Sequence, residues 1–252
     1  MPPSPSSSAR RNRLLSRSSQ EDFAWLERKL ERVSFSRLEV LYEQHQPIEF
    51  IYFPTTCVAS VVQVMRDGQI VEAATIGNEG ATGLAAVVLD GGLSLGRVAA
   101  EVPGEAFRIE VGAVQALAAK SAVFRGVLQH YLQAFLFQIM QSVACNQLHA
   151  AKQRYCRWLL AMHDRTPSDD VQLTQEFMAE MLGVCRETVT QIAGELQRHG
   201  AIRYHRGTIT VLDRRGLEAV TCECYGTVRA EYERLLRAPH KQSEQRRGGQ
   251  KA

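Results

Sequence analysis

The first half of the chain alternates hydrophobic and polar residues, and this period of two predicts β-strands. Residues 23–38 differ, because their spacing is that of an amphipathic helix. Asp67-Gly68 and Pro103-Gly104 have the composition of tight turns. We therefore expect an antiparallel sandwich or roll, with strands at residues 39–43, 47–54, 57–65, 69–76, 97–102 and 105–110.

The pattern becomes helical from about Val114 to Arg165. Five residues there follow the alternating spacing of a coiled-coil seam: Leu128, Leu132, Phe135, Ile139 and Ser142. Such a seam predicts a homodimer, and Asn146 at the next seam position would set its register. The alternative is that this face packs on the β domain of the same chain.

Two short amphipathic helices are predicted within residues 173–199, which read LTQEFMAEMLGVCRETVTQIAGELQRH. Thr174 is a good N-cap, and Gly183 can end the first helix in a left-handed conformation. The polar face of the second helix can hydrogen-bond base edges in a major groove through Arg186, Glu187, Thr190, Gln191, Gln197 and Arg198. Thr188, in its first turn, is placed for a phosphate. This pair predicts a helix-turn-helix that reads DNA, and the alternative is a helical hairpin within a core.

A β-hairpin is predicted directly after the second helix. Ile202 and Tyr204 alternate with polar residues, and Arg206-Gly207 supplies a tight turn. Basic side chains at such a wing would lie beside the DNA backbone and add affinity without discriminating between sequences: Arg203, His205 and Arg206.

Composition and charge say less about the function than these motifs do. With 252 residues, of which 45% are hydrophobic, the chain can bury a substantial core and is expected to hold two domains. The net charge is only +3, with the basic excess in the C-terminal part. Residues 1–20 are rich in Ser, Pro and Arg, and residues 237–252 are polar, so both are predicted to be disordered tails.

No apolar run has the length of a membrane span, and the N-terminus lacks the pattern of a secretory signal. The six cysteines are irregularly placed, as in a cytosolic protein with reduced thiols. We therefore predict a cytoplasmic protein without a membrane partner.

The sequence offers little metal or catalytic chemistry. Cys222 and Cys224 could form a redox pair or half of a metal site, but no second pair completes a zinc site, so buried structural cysteines and no metal are predicted. His149 and His163 show no ligand spacing. Nucleophile elbows, phosphate-loop lysines and spaced carboxylate pairs are not found, so neither an enzyme nor a cofactor is expected.

These features together resemble the Crp/Fnr family of bacterial transcription regulators over about residues 21–236. The string CRETVTQ, beginning at Cys185, resembles the family's recognition-helix sequence SRETVGR. The resemblance implies base contacts by Arg186 and Glu187 and a phosphate contact by Thr188. Gln191 replaces a second arginine, which implies a related but different half-site, and cysteine is a poorer N-cap than serine.

The resemblance also implies an effector pocket in the β domain. Cyclic-nucleotide binders of the family have Gly-Glu and later Arg-Ser in the phosphate loop. Here Leu84 follows Gly83, and Val98 follows Arg97, so half of the polar contacts are missing. Glu79 could substitute for the missing glutamate. We expect no tight binding of cyclic AMP or cyclic GMP, and the effector is unknown.

The predicted fold class is α+β. It comprises a disordered tail (1–20), a double-stranded β-helix of the jelly-roll type that binds cyclic nucleotides in this family (21–123), a dimerisation helix (124–165), a winged helix-turn-helix (166–236) and a second tail (237–252). DNA contacts are expected from Thr174, Gln175, Arg186, Glu187, Thr188, Thr190, Gln191, Arg203, His205 and Arg206.

The predicted function is a homodimeric regulator that binds an inverted repeat in double-stranded DNA, with RNA polymerase as a further candidate partner. A regulator that responds to cyclic nucleotide through an altered pocket is one alternative. Another is a nucleotide-binding regulatory subunit that acts on a protein partner.

Overall fold

The computed structural model describes residues 5–88 and 92–237; the predicted C-terminal tail, apart from Arg237, lies outside them. The strands are β1 Glu31–Phe35, β2 Val40–Tyr42, β3 Phe50–Pro54, β4 Val58–Val64, β5 Ile70–Ile76, β6 Arg97–Val102, β7 Gly104–Glu110, β8 Asp170–Gln172, β9 Ile202–His205 and β10 Thr208–Val211. The helices are α1 Pro5–Ala9, α2 Arg13–Arg17, α3 Gln20–Glu27, α4 Ala85–Val88, α5 Val111–Lys120, α6 Ala122–Leu148, α7 Ala151–His163, α8 Gln175–Leu182, α9 Arg186–Arg198, α10 Arg214–Val220 and α11 Cys224–Leu235.

Strands β1 to β7 form the predicted β-roll. One sheet has the order β2-β6-β4-β5 and the other β1-β7-β3, with antiparallel neighbours throughout. Ile51 and Phe53 are fully buried on β3, whereas Tyr52 between them is half-buried, as expected from the alternation of side chains along a strand. Gly68 turns the chain between β4 and β5 with a φ of 86°, a conformation that favours glycine.

The helix predicted for residues 23–38 is present only in its first part, and a strand takes the place of its second part. Helix α3 ends at Glu27, and β1 then pairs with β7 along an edge of the roll. Within β1, Val33 and Phe35 are half-buried, whereas Ser34 between them is exposed. A segment this short fits either period, and pairing with β7 is the interaction that makes it a strand.

Residues 5–20 are folded, which corrects the predicted disordered tail over that range; residues 1–4 of the predicted tail lie outside the described residues. Helix α2 contacts α6 and buries Leu14 and Leu15 completely. Asn12 caps α2 through Oδ1, and its Nδ2 donates to two carbonyls of the β-roll at 2.7 and 2.9 Å. Because the segment is polar in composition, the sequence analysis did not identify the two leucines that pack it onto the core.

The long helical region is divided among α5, α6 and α7. Helix α6 ends because the backbone becomes extended at His149 (φ −109°, ψ 144°), and α7 begins at Ala151. The single helix predicted for residues 124–165 is therefore two helices. Within the described ranges, no helix alone is long and apolar enough to cross a membrane; α5 and α6 reach that length and composition only as a pair, which is bent by 117°.

The coiled-coil seam predicted on α6 does not coincide with the helix's exposed apolar face. Its residues face the core of their own chain or border it: Leu128 and Ser142 are buried, and Leu132, Phe135 and Ile139 are half-buried. Three exposed apolar residues have the same spacing, each one position C-terminal to a residue of the predicted seam: Leu136, Met140 and Val143. We call these three residues the exposed α6 stripe. The predicted seam lies on or beside the faces of α6 on which the β-roll and α11 of the same chain pack.

The C-terminal region packs directly on the β-roll. Val62 and Val102 of the roll share one hydrophobic cluster with Trp158 of α7 and Phe177 of α8. The indole Nε1 of Trp158 also donates to Glu72 Oε1 on β5 at 2.9 Å. A displacement of these strands would therefore move the helices that pack against them.

Candidate nucleic-acid interface and effector pocket

Helices α8 and α9 form the helix-turn-helix. Thr174 Oγ1 caps α8 by accepting the N–H of Phe177 at 3.2 Å, and Gly183 ends the helix in the left-handed region (φ 61°, ψ 42°). Cys185 at the N-cap of α9 makes no side-chain capping bond, as its chemistry predicts. The apolar face of α9 is buried as expected at Val189, Ile192, Ala193 and Leu196.

The polar face of α9 carries the side chains to which the sequence analysis assigned base contacts. Arg186, Glu187 and Gln191 are all exposed, and the first two lie in the first turn of the helix. An arginine can bind guanine with two hydrogen bonds, a glutamate accepts from cytosine, and a glutamine suits adenine. Thr188 is half-buried, with its Oγ1 3.1 Å from Cys185 Sγ. The face therefore offers both hydrogen-bond donors and acceptors to a groove.

Other polar residues of the motif hold its parts together. Thr190 donates its hydroxyl to Gln175 Oε1 at 2.8 Å and so joins α9 to α8. Gln197 Oε1 accepts the N–H of Tyr204 at 2.7 Å and so joins α9 to the hairpin that follows. These contacts fix the orientation of α9 relative to both neighbours, a role that the sequence pattern did not reveal.

The predicted wing is present and has a third strand. Strands β9 and β10 are joined by Arg206 and Gly207, whose φ values of 46° and 80° are those of a hairpin turn with both central residues left-handed. Strand β8, which the sequence analysis missed, pairs with β10 and gives the order β8-β10-β9. The basic side chains Arg203, His205 and Arg206 are exposed on β9 and at the turn, as expected.

The cavity inside the β-roll is small and mostly apolar. Its volume is about 70 Å³, and its walls include Tyr42, Val61, Leu84, Val98 and Tyr131. Pockets for small molecules and cofactors typically have volumes of about 300–1,000 Å³. Leu84 and Val98, which the sequence resemblance matched to polar contacts of the family's binders, are both buried, and Gly83 has a φ of 71°.

Arg97 does not face this cavity, which corrects its assignment as an effector residue. Its Nε donates to Glu43 Oε2 at 2.8 Å, in a surface ion pair of which both members are exposed by more than a third. Val98, the next residue of β6, lines the cavity. Adjacent side chains of a strand point to opposite faces, so Arg97 and Val98 cannot both line one pocket.

Glu79 is also engaged within the chain. Its Oε1 accepts from Arg165 Nη2 at 2.8 Å and Nε at 3.0 Å, and both side chains are at most 10% exposed. Burial favours a higher pKa for Glu79, but the charge and hydrogen bonds of Arg165 outweigh it and hold this pKa below its ordinary value. The pair connects the loop after β5 to the segment that follows α7, and Glu79 is not among the residues that line the β-roll cavity.

A second buried carboxylate lies where the β-roll meets α8. Glu101 of β6 is 2% exposed, and its Oε1 is 3.6 Å from Arg37 Nη2, which is too long for a hydrogen bond. The guanidinium of Arg37 lies over the ring of Phe177 at 5.4 Å. Burial raises the pKa of Glu101 to about 8; Arg37 opposes this shift, and the neighbouring Glu72 adds to it.

We expect ionisation of Glu101 to make the free energy of unfolding decrease between about pH 4.5 and 8, by up to about 1.4 kcal/mol per pH unit. The folded-state pKa exceeds the ordinary value of 4.5, so the stabilisation is fully present below that value and is lost as the pH rises to about 8. Urea unfolding at several pH values should show the slope reduced in Glu101→Gln and retained in Glu49→Gln, which alters an exposed carboxylate. Equal slopes in wild type and Glu101→Gln would refute this assignment.

The model of the Crp-like helix-turn-helix domain matches residues 153–220, which contain α8, α9 and the wing. The chain carries a Crp-like helix-turn-helix domain. The match begins within α7, before the domain boundary predicted at residue 166, and α7 contributes Trp158 and Leu159 to the core of this domain.

Solved Crp/Fnr-type structures share the fold. FixK2 from Bradyrhizobium japonicum superposes with a TM-score of 0.66 at 17% identity, covering 77% of this chain and 98% of that one. The CRP-family transcriptional regulator TTHB099 from Thermus thermophilus gives 0.63 at 20% identity, covering 75% and 95%. The c-di-GMP-responsive global regulator CLP from Xanthomonas campestris gives 0.60 at 12% identity, covering 77% and 99%. No curated protein sequence matches the chain.

Together, the matched domain and the shared fold confirm the resemblance to Crp/Fnr regulators that the sequence indicated. At identities this low the superpositions establish the arrangement of β-roll, long helix and winged helix-turn-helix, and the domain match identifies the DNA-binding module. The chain therefore combines a Crp-like helix-turn-helix domain with the overall fold seen in Crp/Fnr-type structures.

The structure also assembles a cluster that the sequence analysis missed. Cys145 and His149, at the end of α6, meet Cys222 and Cys224 at the junction of α10 and α11. The expectation of no metal site rested on the lack of a second ligand pair near Cys222 in the sequence. The missing residues come from a helix more than seventy positions earlier.

Proposed function

We propose that this Crp/Fnr-type chain binds an inverted-repeat operator as a homodimer and regulates transcription there. The observation that carries the proposal is the exposed set Arg186, Glu187 and Gln191 on a recognition helix held by both α8 and the wing. Readers of this type place two such helices in successive major grooves, about 34–36 Å apart. The basic wing would add contacts to phosphates on either side.

The exposed α6 stripe supports the dimer. Leu136, Met140 and Val143 are 58–64% exposed and follow heptad spacing on a helix of 27 residues. A two-fold axis beside α6 would set the stripe of one copy against the same stripe of its partner. This arrangement retains the predicted helix as the dimer element but assigns the contact to different side chains.

Control by a signal at the β-roll is the remaining part of the proposal. The hydrogen bond between Glu72 and Trp158 and the shared hydrophobic cluster connect the roll to the reader domain. A signal acts only if it binds two arrangements of these parts with different affinity. The small apolar cavity favours a signal other than a cyclic nucleotide bound in the family's manner.

Selection of genomic DNA fragments by the purified protein, with and without cyclic AMP, tests the proposal. We expect an inverted repeat to be recovered without nucleotide. Enrichment only with cyclic AMP would support the alternative of a nucleotide-responsive regulator and contradict our interpretation of Leu84 and Val98. Failure to enrich any motif would favour the alternative of a regulatory subunit that acts on a protein partner.

Replacing Arg186 with alanine is expected to cost about 1–3 kcal/mol of binding free energy on the recovered operator and little on random DNA. Arg203→Ala is the matched control, because a wing arginine that binds phosphate should weaken both complexes alike. Titrations of both variants on both DNAs at one salt concentration measure this difference. Equal losses for Arg186→Ala on the two DNAs would remove its assignment as a base contact.

A further inference from the structure

Three cysteines and one histidine converge behind the dimer helix. Cys145 lies near the end of α6, His149 directly follows that helix, and Cys222 and Cys224 flank the start of α11. The cysteines are at most 2% exposed, and the histidine side chain is 16% exposed. The four candidate ligand atoms all lie within 4.8 Å of one another.

The spacing within this cluster suits tetrahedral coordination. Cys145 Sγ is 3.5 Å from Cys222 Sγ, and Cys224 Sγ is 3.5 Å from His149 Nδ1. With metal–sulfur bonds of about 2.3 Å and metal–nitrogen bonds of about 2.0–2.1 Å, a tetrahedral zinc ion separates its ligand atoms by roughly 3.5–3.8 Å. These two pairs are therefore already close to the separation that a bound ion needs, and the remaining pairs lie within 4.8 Å of one another.

Two neighbouring residues orient the histidine and one thiol. His149 Nε2 lies 3.1 Å from Glu223 Oε2, and a small rotation of this exposed carboxylate would let it accept a proton carried on Nε2. The lone pair of Nδ1 then faces the three sulfurs. Gln141 Nε2 donates to Cys224 Sγ at 3.1 Å. A carboxylate that accepts from the outer nitrogen of a histidine is a recurrent feature of metal sites, because it fixes the ring and increases its basicity.

We propose that Cys145, His149, Cys222 and Cys224 bind one Zn²⁺ ion. Thiolate and imidazole donors in tetrahedral geometry suit this metal. Four protein ligands leave no position for a substrate, so the site is structural. On binding, the three thiols lose their protons and the imidazole coordinates in its neutral form.

The ion would join two parts of the molecule. Cys145 and His149 belong to the helix that carries the exposed α6 stripe, whereas the other two ligands lie beyond the wing, at the junction of α10 and α11. Zinc would hold α11 against α6, in addition to the hydrogen bond from Tyr232 to Gln138 at 2.9 Å. The site is thus independent of the DNA-reading face and does not rest on the proposed operator.

The first test uses the unaltered full-length chain. Protein purified under reducing conditions without chelator should contain about one zinc per chain by elemental mass spectrometry. After chelator treatment and titration with Co²⁺, it should develop the thiolate charge-transfer and visible ligand-field absorption of tetrahedral cobalt. Substoichiometric zinc with no such spectrum would overturn the proposal, and so would stoichiometric iron or copper in the purified protein.

The second test uses variants. Cys222→Ser should lose the metal and the cobalt spectrum, whereas Cys57→Ser and Cys156→Ser, which alter buried cysteines outside the cluster, should retain both. Glu223→Gln changes an exposed side chain and should lower zinc affinity by roughly 10–100-fold while the fold is retained. Unchanged metal affinity in Cys222→Ser would refute the ligand set, and unchanged affinity in Glu223→Gln would refute the role given to that carboxylate.

Discussion

Replacing Glu79 with glutamine is expected to lower the free energy of unfolding by about 3–5 kcal/mol, because it leaves the buried guanidinium of Arg165 without its counter-charge. Urea or thermal unfolding measures this loss. The pKa of Glu79 is held below its ordinary value. The ion pair therefore stabilises the fold fully at pH values above the ordinary pKa of a glutamate, and this stabilisation is lost as the pH falls through the lowered pKa. The difference between wild type and Glu79→Gln should therefore shrink in acid.

A double replacement shows whether the lost stability comes from an unpaired buried charge or from disturbed packing around it. Glu79→Gln combined with Arg165→Met removes both charges and should recover a large part of the stability, because no unpaired charge then remains buried. If the two single losses simply added in the double variant, the two residues would be energetically independent, contrary to the contact. A loss of less than about 1 kcal/mol in Glu79→Gln would likewise show that the pair contributes little to stability.

The same variants also bear on signalling. Arg165 lies two residues after the end of α7 and precedes β8 and the helix-turn-helix in the chain. Its guanidinium also donates to Thr75 Oγ1 on β5 at 3.0 Å, so the residue holds the reader domain to the β-roll at two points. Weakening this connection should change DNA affinity even though Arg165 lies outside the reading face.

Features encoded by local patterns could be predicted from the sequence. The helix-turn-helix depends on Thr174, Gly183 and the apolar spacing of α9, all within one short segment, and the structure contains each of them. Most strands of the roll were predicted for the same reason, because alternation is a local property. Strand β1 was assigned to a helix because five residues do not distinguish the two periods and its pairing with β7 is distant in sequence.

Features made by distant contacts could not be predicted. The spacing on α6 identified a heptad pattern, but the faces covered by the β-roll and α11 decide which residues remain exposed. Arg97 was matched by sequence to a phosphate ligand, whereas the register of β6 turns it toward Glu43. Likewise, the ligands Cys145 and Cys222 become neighbours only when α11 packs on α6.

Placing glutamate at both Leu136 and Met140 is expected to separate the proposed dimer, because like charges would then face each other across the two-fold axis. Both side chains are exposed in the single chain, so its fold should be retained. Without the second recognition helix, affinity for the inverted repeat should fall by about 10²–10⁴-fold, toward that for one half-site.

Sedimentation, with binding titrations on the full repeat and on a half-site, measures both effects of this double variant. Val123→Glu is the matched control, since Val123 is as exposed as Leu136 on the same helix. At about 100° per residue, it projects from a different face and should leave the dimer intact. A Leu136→Glu/Met140→Glu variant that stays dimeric and binds the repeat normally would exclude the exposed α6 stripe as the interface. The pairing of the two recognition helices would then have to come from another surface of the chain.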